Sequence, residues 1–245
     1  MTYPIRPLAG NGAGTAVASM RAENRTQRAL TPTRRYEISY LSRDNDMTDV
    51  SRVAPAMAIF EEAFAAFSRG TLISTPDGPV AVEDLTPGQM ISTVDGPRIL
   101  RWRGALTVIP GQPHAMALTR LASDCFGPSR PMHDLLLGPS ARFLCRKPDP
   151  MSPLLFRDSE GEVNGESAVA IRPVAPVPLY HLALDQQELI YANGLETATY
   201  HPSLGAERAL SGDLLTLFLC FFPYLRRLEE FGAPLLARST PRSVA

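Results

Sequence analysis

The sequence predicts a mainly β domain with one short helix before it and one or two helices after it. From Gly70 onward, apolar residues recur with period two, which is typical of strands. Turn residues interrupt these runs every eight to twelve residues or so, which is the spacing of a β barrel or sandwich-like fold. Helical spacing occurs only before this region and after it.

Three segments are predicted along the chain. Residues 1–52 are rich in Arg, Thr, Asn, Ser and Gly and show little periodicity, so we expect them to be disordered or loosely attached. Residues 53–202 form the β domain. It opens with "APAMAIFEEAFAAF" (Ala54 to Phe67), whose apolar spacing predicts a short amphipathic helix. Residues 203–245 form a helical tail.

The strands of the domain are predicted from short apolar runs that end at turn sequences. In the first half, "PDG", "TPG" and "VDGP" are turns because proline presets φ and glycine accepts positive φ. In the second half, "DSEGEVNGESA" is expected to be a solvated acidic loop, and "ANG" a hairpin-type turn. The predicted strands are "TLIST", "PVAVEDL", "QMIST", "RILRWRG", a strand near Ala117, "DLLLG", "ARFLC", "LYHLAL" and "ELIYA".

The tail from Leu210 to Phe231 is apolar on more than one face, so we expect it to be buried. Ser211 is a candidate N-cap, Pro223 should interrupt the helix, and Gly232 should end it. The apolar run is too short to span a bilayer. The tail therefore packs on the β core or pairs with an unknown protein partner.

Composition narrows the function classes. The formal net charge is −1, so no global field attracts nucleic acid. The three cysteines, Cys125, Cys145 and Cys220, form no CxxC pair, which disfavours a disulfide framework or a structural zinc site, and buried free thiols are expected. No metal or other cofactor is predicted. No secretory signal or membrane span is visible, so a cytoplasmic location is the default expectation.

Three blocks of the sequence resemble Hint domains, the Hedgehog/intein self-processing modules, and are closest to the bacterial stand-alone branch. They are "GTLISTPDGPVAVEDLTPGQMISTVDGPRILRWRG", "RPMHDLLLGPSAR" and "YHLALDQQELIYANGLETATY", in the family's order. The resemblance covers roughly residues 64–202. It implies a Hint-type β horseshoe with a pseudo-two-fold axis, in which two related halves wrap around the first residue of the domain.

The resemblance also implies a chemistry. In the family, the first residue is a cysteine or serine that attacks the carbonyl of the preceding residue, an N-to-S or N-to-O acyl shift. An imidazole protonates the leaving amine, and donors hold the oxyanion. An intein ends in His-Asn before a cysteine, serine or threonine, and this sequence has no such ending.

The positions that carry this chemistry in the family are altered here. The nucleophile lies four residues before Gly70, at Ala66. The hydroxyl and the histidine of the second block are Gly138 and Ala141. In the closing block, the histidine is Gln187 and the carboxylate position is Ala198. Other family positions keep their residues, namely Trp102, Asp134, His181 and Asp185.

Few residues could replace the missing nucleophile and bases. Ser68 is two positions from Ala66 and would face the same way on a strand, but it would attack a different peptide bond and no matching base is evident. We expect His181 in the core, hydrogen-bonded. The other histidines are expected at the surface, namely His114, His133 and His201.

Three functions follow from this resemblance and from the altered positions. The first is a structural or interaction module without autoprocessing activity. The second is residual self-cleavage near Ala66. The third is binding of an apolar ligand in a cleft that the alanine substitutions enlarge and dry.

Overall fold

A computed structural model describes residues 32–111, 116–145, 155–202 and 206–235. His114 lies outside these ranges, as do residues 1–31 of the segment that was expected to be loosely attached. The described strands, in chain order, are β1 (Thr33–Leu41), β2 (Met47–Pro55), β3 (Phe67–Ser68), β4 (Leu72–Thr75), β5 (Gly78–Ala81), β6 (Met90–Thr93), β7 (Gly96–Ile99), β8 (Trp102–Val108), β9 (Leu118–Leu121), β10 (Leu135–Leu137), β11 (Arg142–Cys145), β12 (Leu155–Asp158), β13 (Ala168–Ile171), β14 (Val177–Ala183), β15 (Leu189–Ala192) and β16 (Leu195–Ala198).

The helices of the described chain are short. They are α1 (Ala58–Glu61), α2 (Ala206–Ala209) and α3 (Asp213–Leu219), together with 3₁₀ turns at Glu160–Glu162 and Leu228–Phe231. Among these described helices, none is long and apolar enough to cross a bilayer.

The strands form two antiparallel sheets, so the mainly β fold class is confirmed. The first sheet has the order β13-β9-β10-β3-β14-β8-β1-β2. The second has the order β12-β11-β16-β15-β4-β5, and the β6–β7 hairpin joins it through β15. The short strand β3 lies between β10 and β14. The residues just before β3 therefore enter the middle of the first sheet.

The segment before residue 53 corrects the expectation of a loosely attached N-terminal region. β1 and β2 form a nine-residue antiparallel hairpin, and β1 continues the first sheet by pairing with β8. The alternation of Tyr36, Ile38 and Tyr40 with polar residues carries this strand, and it buries Tyr36 and Ile38 completely or nearly so. That period-two signal was present in the sequence but was masked by the polar composition around it.

The helix expected over Ala54–Phe67 is reduced to the single turn α1. The chain on one side of it belongs to β2, and on the other side it straightens to enter β3. Strands β12, β13 and β16 were not predicted, and β12 and β13 flank the loop that was expected to be solvated. The "ANG" turn has the expected geometry, because Asn193 and Gly194 both have positive φ between β15 and β16.

An aromatic core holds the tail on the first sheet. The Trp102 indole N–H donates a hydrogen bond to the Phe221 carbonyl, 2.6 Å away, and its ring stacks on Phe222 with the centroids 4.7 Å apart. The members of this aromatic core are Tyr36, Phe60, Phe64, Trp102, Tyr200, Phe218, Phe221, Phe222 and Phe231. The expected packing of the tail on the β core is therefore what the structure contains.

The ends of the tail helix differ from expectation in one respect. α3 stops at Leu219, before Pro223, and Gly232 ends the last 3₁₀ turn with a φ of 75°. Ser211 is not the N-cap, because Gly212 takes that place without a side-chain cap.

The expectation of buried thiols is also wrong for Cys220, which is exposed while the neighbouring phenylalanines take the buried positions. Cys125 is half-buried.

Candidate functional site

The peptide that joins Ala65 to Ala66 is a buried, hydrogen-bonded part of the first sheet. Both residues are inaccessible to solvent. The Ala66 N–H donates to the Tyr180 carbonyl at 3.1 Å, and the Ala65 carbonyl accepts from the Ser140 N–H at 3.0 Å. The Ala66 carbonyl accepts from the Gly138 N–H at 2.8 Å. Hydrogen bonds therefore hold this peptide on both sides, and the side chain of Ala66 is only a methyl group.

The turn from Gly138 to Ala141 lies directly against that peptide. A Cβ atom on Gly138 would stand 2.3 Å from the Ala65 carbonyl oxygen, far inside van der Waals contact. The Ala141 N–H donates to the Gly138 carbonyl at 3.2 Å, and Ala141 itself is buried. Position 138, where the family has a hydroxyl, therefore has no room for a side chain, because the Ala65 backbone occupies that space.

Ser159 completes this turn, and no pattern in the sequence indicates this role. Its hydroxyl donates to the Gly138 carbonyl at 2.8 Å, and its N–H donates to the Ala141 carbonyl at 3.1 Å. The residue is fully buried although it begins the acidic loop. Only the pairing of β12 with β11 brings it to this position.

The two altered positions of the closing block lie beside the same turn. The Gln187 side chain donates to the Thr199 carbonyl at 3.2 Å and accepts from the Leu235 N–H at 2.8 Å. Ala198 pairs with Leu189 and is buried. Gln187 therefore ties the closing block to the tail, a contact that no local sequence pattern could reveal.

A cavity of about 210 Å³ opens next to these residues. Gln187 and Ala198 line it, whereas Ala66, Gly138 and Ala141 are not among the lining residues. Nine of its eleven described lining residues are polar or charged, which corrects the expectation of an apolar cleft. They are Glu62, Pro139, Ser140, Arg142, Asp158, His181, Gln187, Ala198, Thr199, Tyr200 and His201. Ala66 and Ala141 do not enlarge the cavity, because they are buried elsewhere in the packed chain.

His181 is the histidine at the centre of the site. It is only 3% exposed, and its Nδ1 accepts a hydrogen bond from the Leu182 N–H at 3.0 Å. Because a backbone N–H can only donate, the ring proton of the neutral form lies on Nε2. Burial, with a smaller effect of the Arg142 charge, lowers the pKa of His181 to about 3. The side chain is therefore neutral over the ordinary pH range.

This pKa shift predicts a pH-dependent stability. Between pH 6.5 and about 3 the unfolded chain binds a proton at His181 that the folded chain does not bind, so acid favours unfolding. The histidine's contribution to the free energy of unfolding should fall by about 1.4 kcal/mol for each unit by which the pH is lowered in this window. Urea unfolding at several pH values should show a shallower pH dependence for His181→Asn than for the wild type. The exposed His133→Asn should follow the wild type, and equal slopes in all three proteins would contradict the assignment.

The other retained family positions make contacts within the fold. Trp102 binds the tail, Asp185 pairs with Arg101 at 2.6 Å, and Asp134 pairs with Arg120. The hydrogen bond from Arg120, assisted by the Ser123 N–H, lowers the pKa of Asp134.

Of the histidines that were expected at the surface, His133 is exposed. His201 is half-buried, with its ring nitrogens near the Pro202 and Gly232 carbonyls.

Ser68, the alternative nucleophile, is also part of the first sheet. Ser68 is 7% exposed and pairs with Leu179 in the sheet. Within the described ranges, no hydrogen bond joins its hydroxyl to a histidine or a carboxylate. In that same part of the chain, no group of three His, Cys, Asp or Glu side chains could hold a metal ion.

The family of this chain follows from a match between its sequence and a family model. The family model described as "Hint domain" matches residues 65–204, which is more than half of the chain. The chain belongs to the Hint domain family. The matched segment of this Hint protein begins one residue before Ala66 and ends after the closing block. No match was found among the curated proteins.

The solved structures that match this chain include inteins and an intein-like domain. A bacterial intein-like domain from Clostridium thermocellum has 13% identity and a TM-score of 0.41, covering 56% of this chain and 99% of that one. The gp41-1 intein has 13% identity and a TM-score of 0.36, covering 56% and 98%. The MchDnaB-1 intein has 18% identity and a TM-score of 0.35, covering 55% and 98%.

Proposed function

We propose that this Hint protein does not process itself and serves as a structural or interaction module. The observation that carries the proposal is the environment of the Ala65–Ala66 peptide. Ala65 and Ala66 are fully buried, and the side chain of residue 66 carries no hydroxyl or thiol. The Ala65 and Ala66 carbonyls accept hydrogen bonds from Ser140 and Gly138, and the Ala66 N–H donates to the Tyr180 carbonyl. An acyl shift needs a nucleophile at that point.

The second lost function is proton transfer. The acyl shift requires a group that protonates the leaving amine, and the family places an imidazole where Ala141 stands. His181 remains nearby, but its Nδ1 is engaged with the backbone and burial keeps the ring neutral. Residual cleavage near Ala66 is the competing proposal, and Ser68 is its candidate nucleophile.

The proposed interaction role does not rest on the aromatic face of the tail. The phenylalanines of the tail are buried against their own chain, so a partner would meet the exposed side of the tail or the sheets. Binding of an apolar ligand is not proposed, because the cavity is lined mainly by polar side chains.

The proposal predicts that a restored nucleophile alone does not restore cleavage. Ala66→Cys should fold and show no cleavage at the 65/66 junction during incubation with hydroxylamine, because the acid at position 141 is still missing. Ala63→Cys is the matched control, since Ala63 is also inaccessible to solvent. Intact mass spectrometry distinguishes the outcomes. Fragments split at the 65/66 junction in Ala66→Cys, absent from Ala63→Cys, would show that the remaining machinery is active.

A further inference from the structure

The strand β2 forms one edge of the first sheet. It stands at the end of the sheet order, and among the described strands it pairs with β1 alone. Edge strands are usually protected by bulges, lysine or proline, because an open row of N–H and C=O groups can pair with another chain. The nine residue pairs of β1 and β2 run without a bulge, β2 contains no lysine, and its only proline is the last residue, Pro55. This edge is therefore able to accept a further strand.

The hydrogen bonds at the two ends of the β1–β2 hairpin show which groups of β2 point away from β1. The Ser42 N–H donates to the Asp46 carbonyl at 2.8 Å, and the Ala56 N–H donates to the Pro32 carbonyl at 2.7 Å. Because the hydrogen-bonding direction alternates along a strand, the even-numbered residues of β2 bond to β1. The odd-numbered residues direct their N–H and C=O groups outward. These outward-bonding residues are Met47, Asp49, Ser51 and Val53.

Symmetry limits how this edge can pair with the same edge of a second copy. A two-fold axis perpendicular to the sheet makes the two strands antiparallel and keeps each side chain on its own face, so the axis passes beside one residue of β2. At Asp49 or Arg52, that axis would place two like charges directly opposite each other, which is destabilising. At Ser51, it would place Val53 opposite the carboxylate of the partner subunit's Asp49. An axis nearer either end of β2 would pair fewer residues.

We propose that two copies of this protein pair through β2, as antiparallel strands related by a two-fold axis at Val50. In this register Met47, which is 51% exposed, lies opposite Val53 of the partner subunit, which is 69% exposed. These two apolar side chains cover each other, and the contact occurs twice by symmetry. Val50 lies opposite Val50 of the partner subunit, on the face of the sheet that carries the buried Tyr36 and Ile38.

The polar side chains of the edge are also complementary in this register. Asp49 lies opposite Ser51 of the partner subunit, so every outward-bonding residue of β2 has a partner. Arg52 and Asp46 are both exposed, and the Arg52 cation becomes a diagonal neighbour of the partner subunit's Asp46 carboxylate. This pair also occurs twice. The edge is therefore complementary to itself in hydrogen bonding, apolar contact and charge.

This pairing deepens the interaction role proposed above and rests on it, because it names a second copy of the chain as the partner. Self-association and self-cleavage are measured separately. A protein that keeps an uncleaved 65/66 junction but stays monomeric would contradict the pairing alone. A dimer that cleaves at this junction would contradict only the loss of self-processing.

Sedimentation velocity of the full-length protein tests the proposal. We expect a monomer–dimer equilibrium with a dissociation constant on the order of 10 µM, because one strand pair lies at the low end of interface sizes. Val53→Lys should weaken the dimer by about tenfold, since it removes two apolar cross-strand pairs. Val174→Lys is the matched control, because Val174 is 97% exposed and lies outside β2, and it should dimerise like the wild type. A wild-type chain that is still monomeric at roughly 200 µM would overturn the proposal.

Cysteine cross-linking tests the register. In Val50→Cys the two new residues lie directly opposite each other, with Cα atoms about 4.5 Å apart, which is within disulfide reach. In the matched variant Thr48→Cys, the Cα atoms would be about 14 Å apart, which is beyond disulfide reach. Mild oxidation and non-reducing electrophoresis should show a linked dimer for Val50→Cys, above any background that the native Cys220 gives in the wild type. Equal cross-linking of the two variants, or none in Val50→Cys, would overturn the pairing at Val50.

Discussion

A chain that ends at Ala209 is expected to aggregate when it is expressed, because residues 210–235 supply one wall of the aromatic core. Phe218, Phe221 and Phe222 are inaccessible to solvent, and Phe231 is 4% exposed. Truncation of one buried phenylalanine to alanine costs about 3–5 kcal/mol. Loss of all four would cost about 12–20 kcal/mol on the same scale, which is as large as the 5–15 kcal/mol or so that stabilises an ordinary domain. The exposed aromatic surface should then drive self-association.

Size-exclusion chromatography and circular dichroism of the truncated chain test this expectation. The matched point variants are Phe221→Ala, which should lose about 3–5 kcal/mol, and Val174→Ala, which should change stability by less than about 0.5 kcal/mol. Val174 is 97% exposed, so it reports the effect of an apolar truncation without loss of packing. A soluble, monomeric and folded chain ending at Ala209 would show that the tail is dispensable.

Gly138→Ala is expected to cause the second large loss of stability. The added Cβ would meet the Ala65 carbonyl oxygen at 2.3 Å and the Ala65 carbonyl carbon at 2.8 Å. Both atoms belong to backbone that Ser140 also holds, so the contact cannot be relieved by a side-chain rotation. Overpacking of this kind costs about 1–3 kcal/mol, and displacement of the Ser140 hydrogen bond adds to it.

Urea unfolding of two glycine variants measures this effect. Gly161→Ala is the control, because a Cβ at that position meets nothing within 4 Å. We expect Gly161→Ala to unfold near the wild-type urea concentration and Gly138→Ala to unfold at a clearly lower one. Equal midpoints would mean that the turn can move away from the Ala65–Ala66 peptide, and that a side chain at position 138 is tolerated.

The strands that could be predicted from the sequence are those with local signals. Gly78, Gly88 and Gly96 have positive φ in the turns of the first half, as their turn sequences require. The hairpin β1–β2 was missed because its alternating residues lie in a polar segment. Strand β13 was missed for a different reason, since its place is fixed by pairing with the distant strand β9. Strands β12 and β16 pair with their neighbours in the chain, β11 and β15, and were missed because four residues such as LFRD and LETA carry no clear period-two signal.

The candidate site could also be predicted from the sequence only in part. Ala66, Gly138, Ala141, Gln187 and Ala198 were located by resemblance to the family, and the structure brings them to one region. The polar character of the cavity could not be foreseen, because it depends on Glu62, Arg142 and Asp158 meeting from three separate elements. The contacts of Ser159 and Leu235 are also long-range. A single sequence carries no local signal for such contacts.

The intact mass of the purified wild-type protein, incubated with and without a thiol or hydroxylamine, tests the central claim most directly. The methyl group of Ala66 cannot form an ester or a thioester, so no fragment that begins at Ala66 or at Ser68 should form under any of these conditions. A fragment that begins at Ala66 or at Ser68 would contradict the claim and would show that this Hint protein still cleaves its own chain.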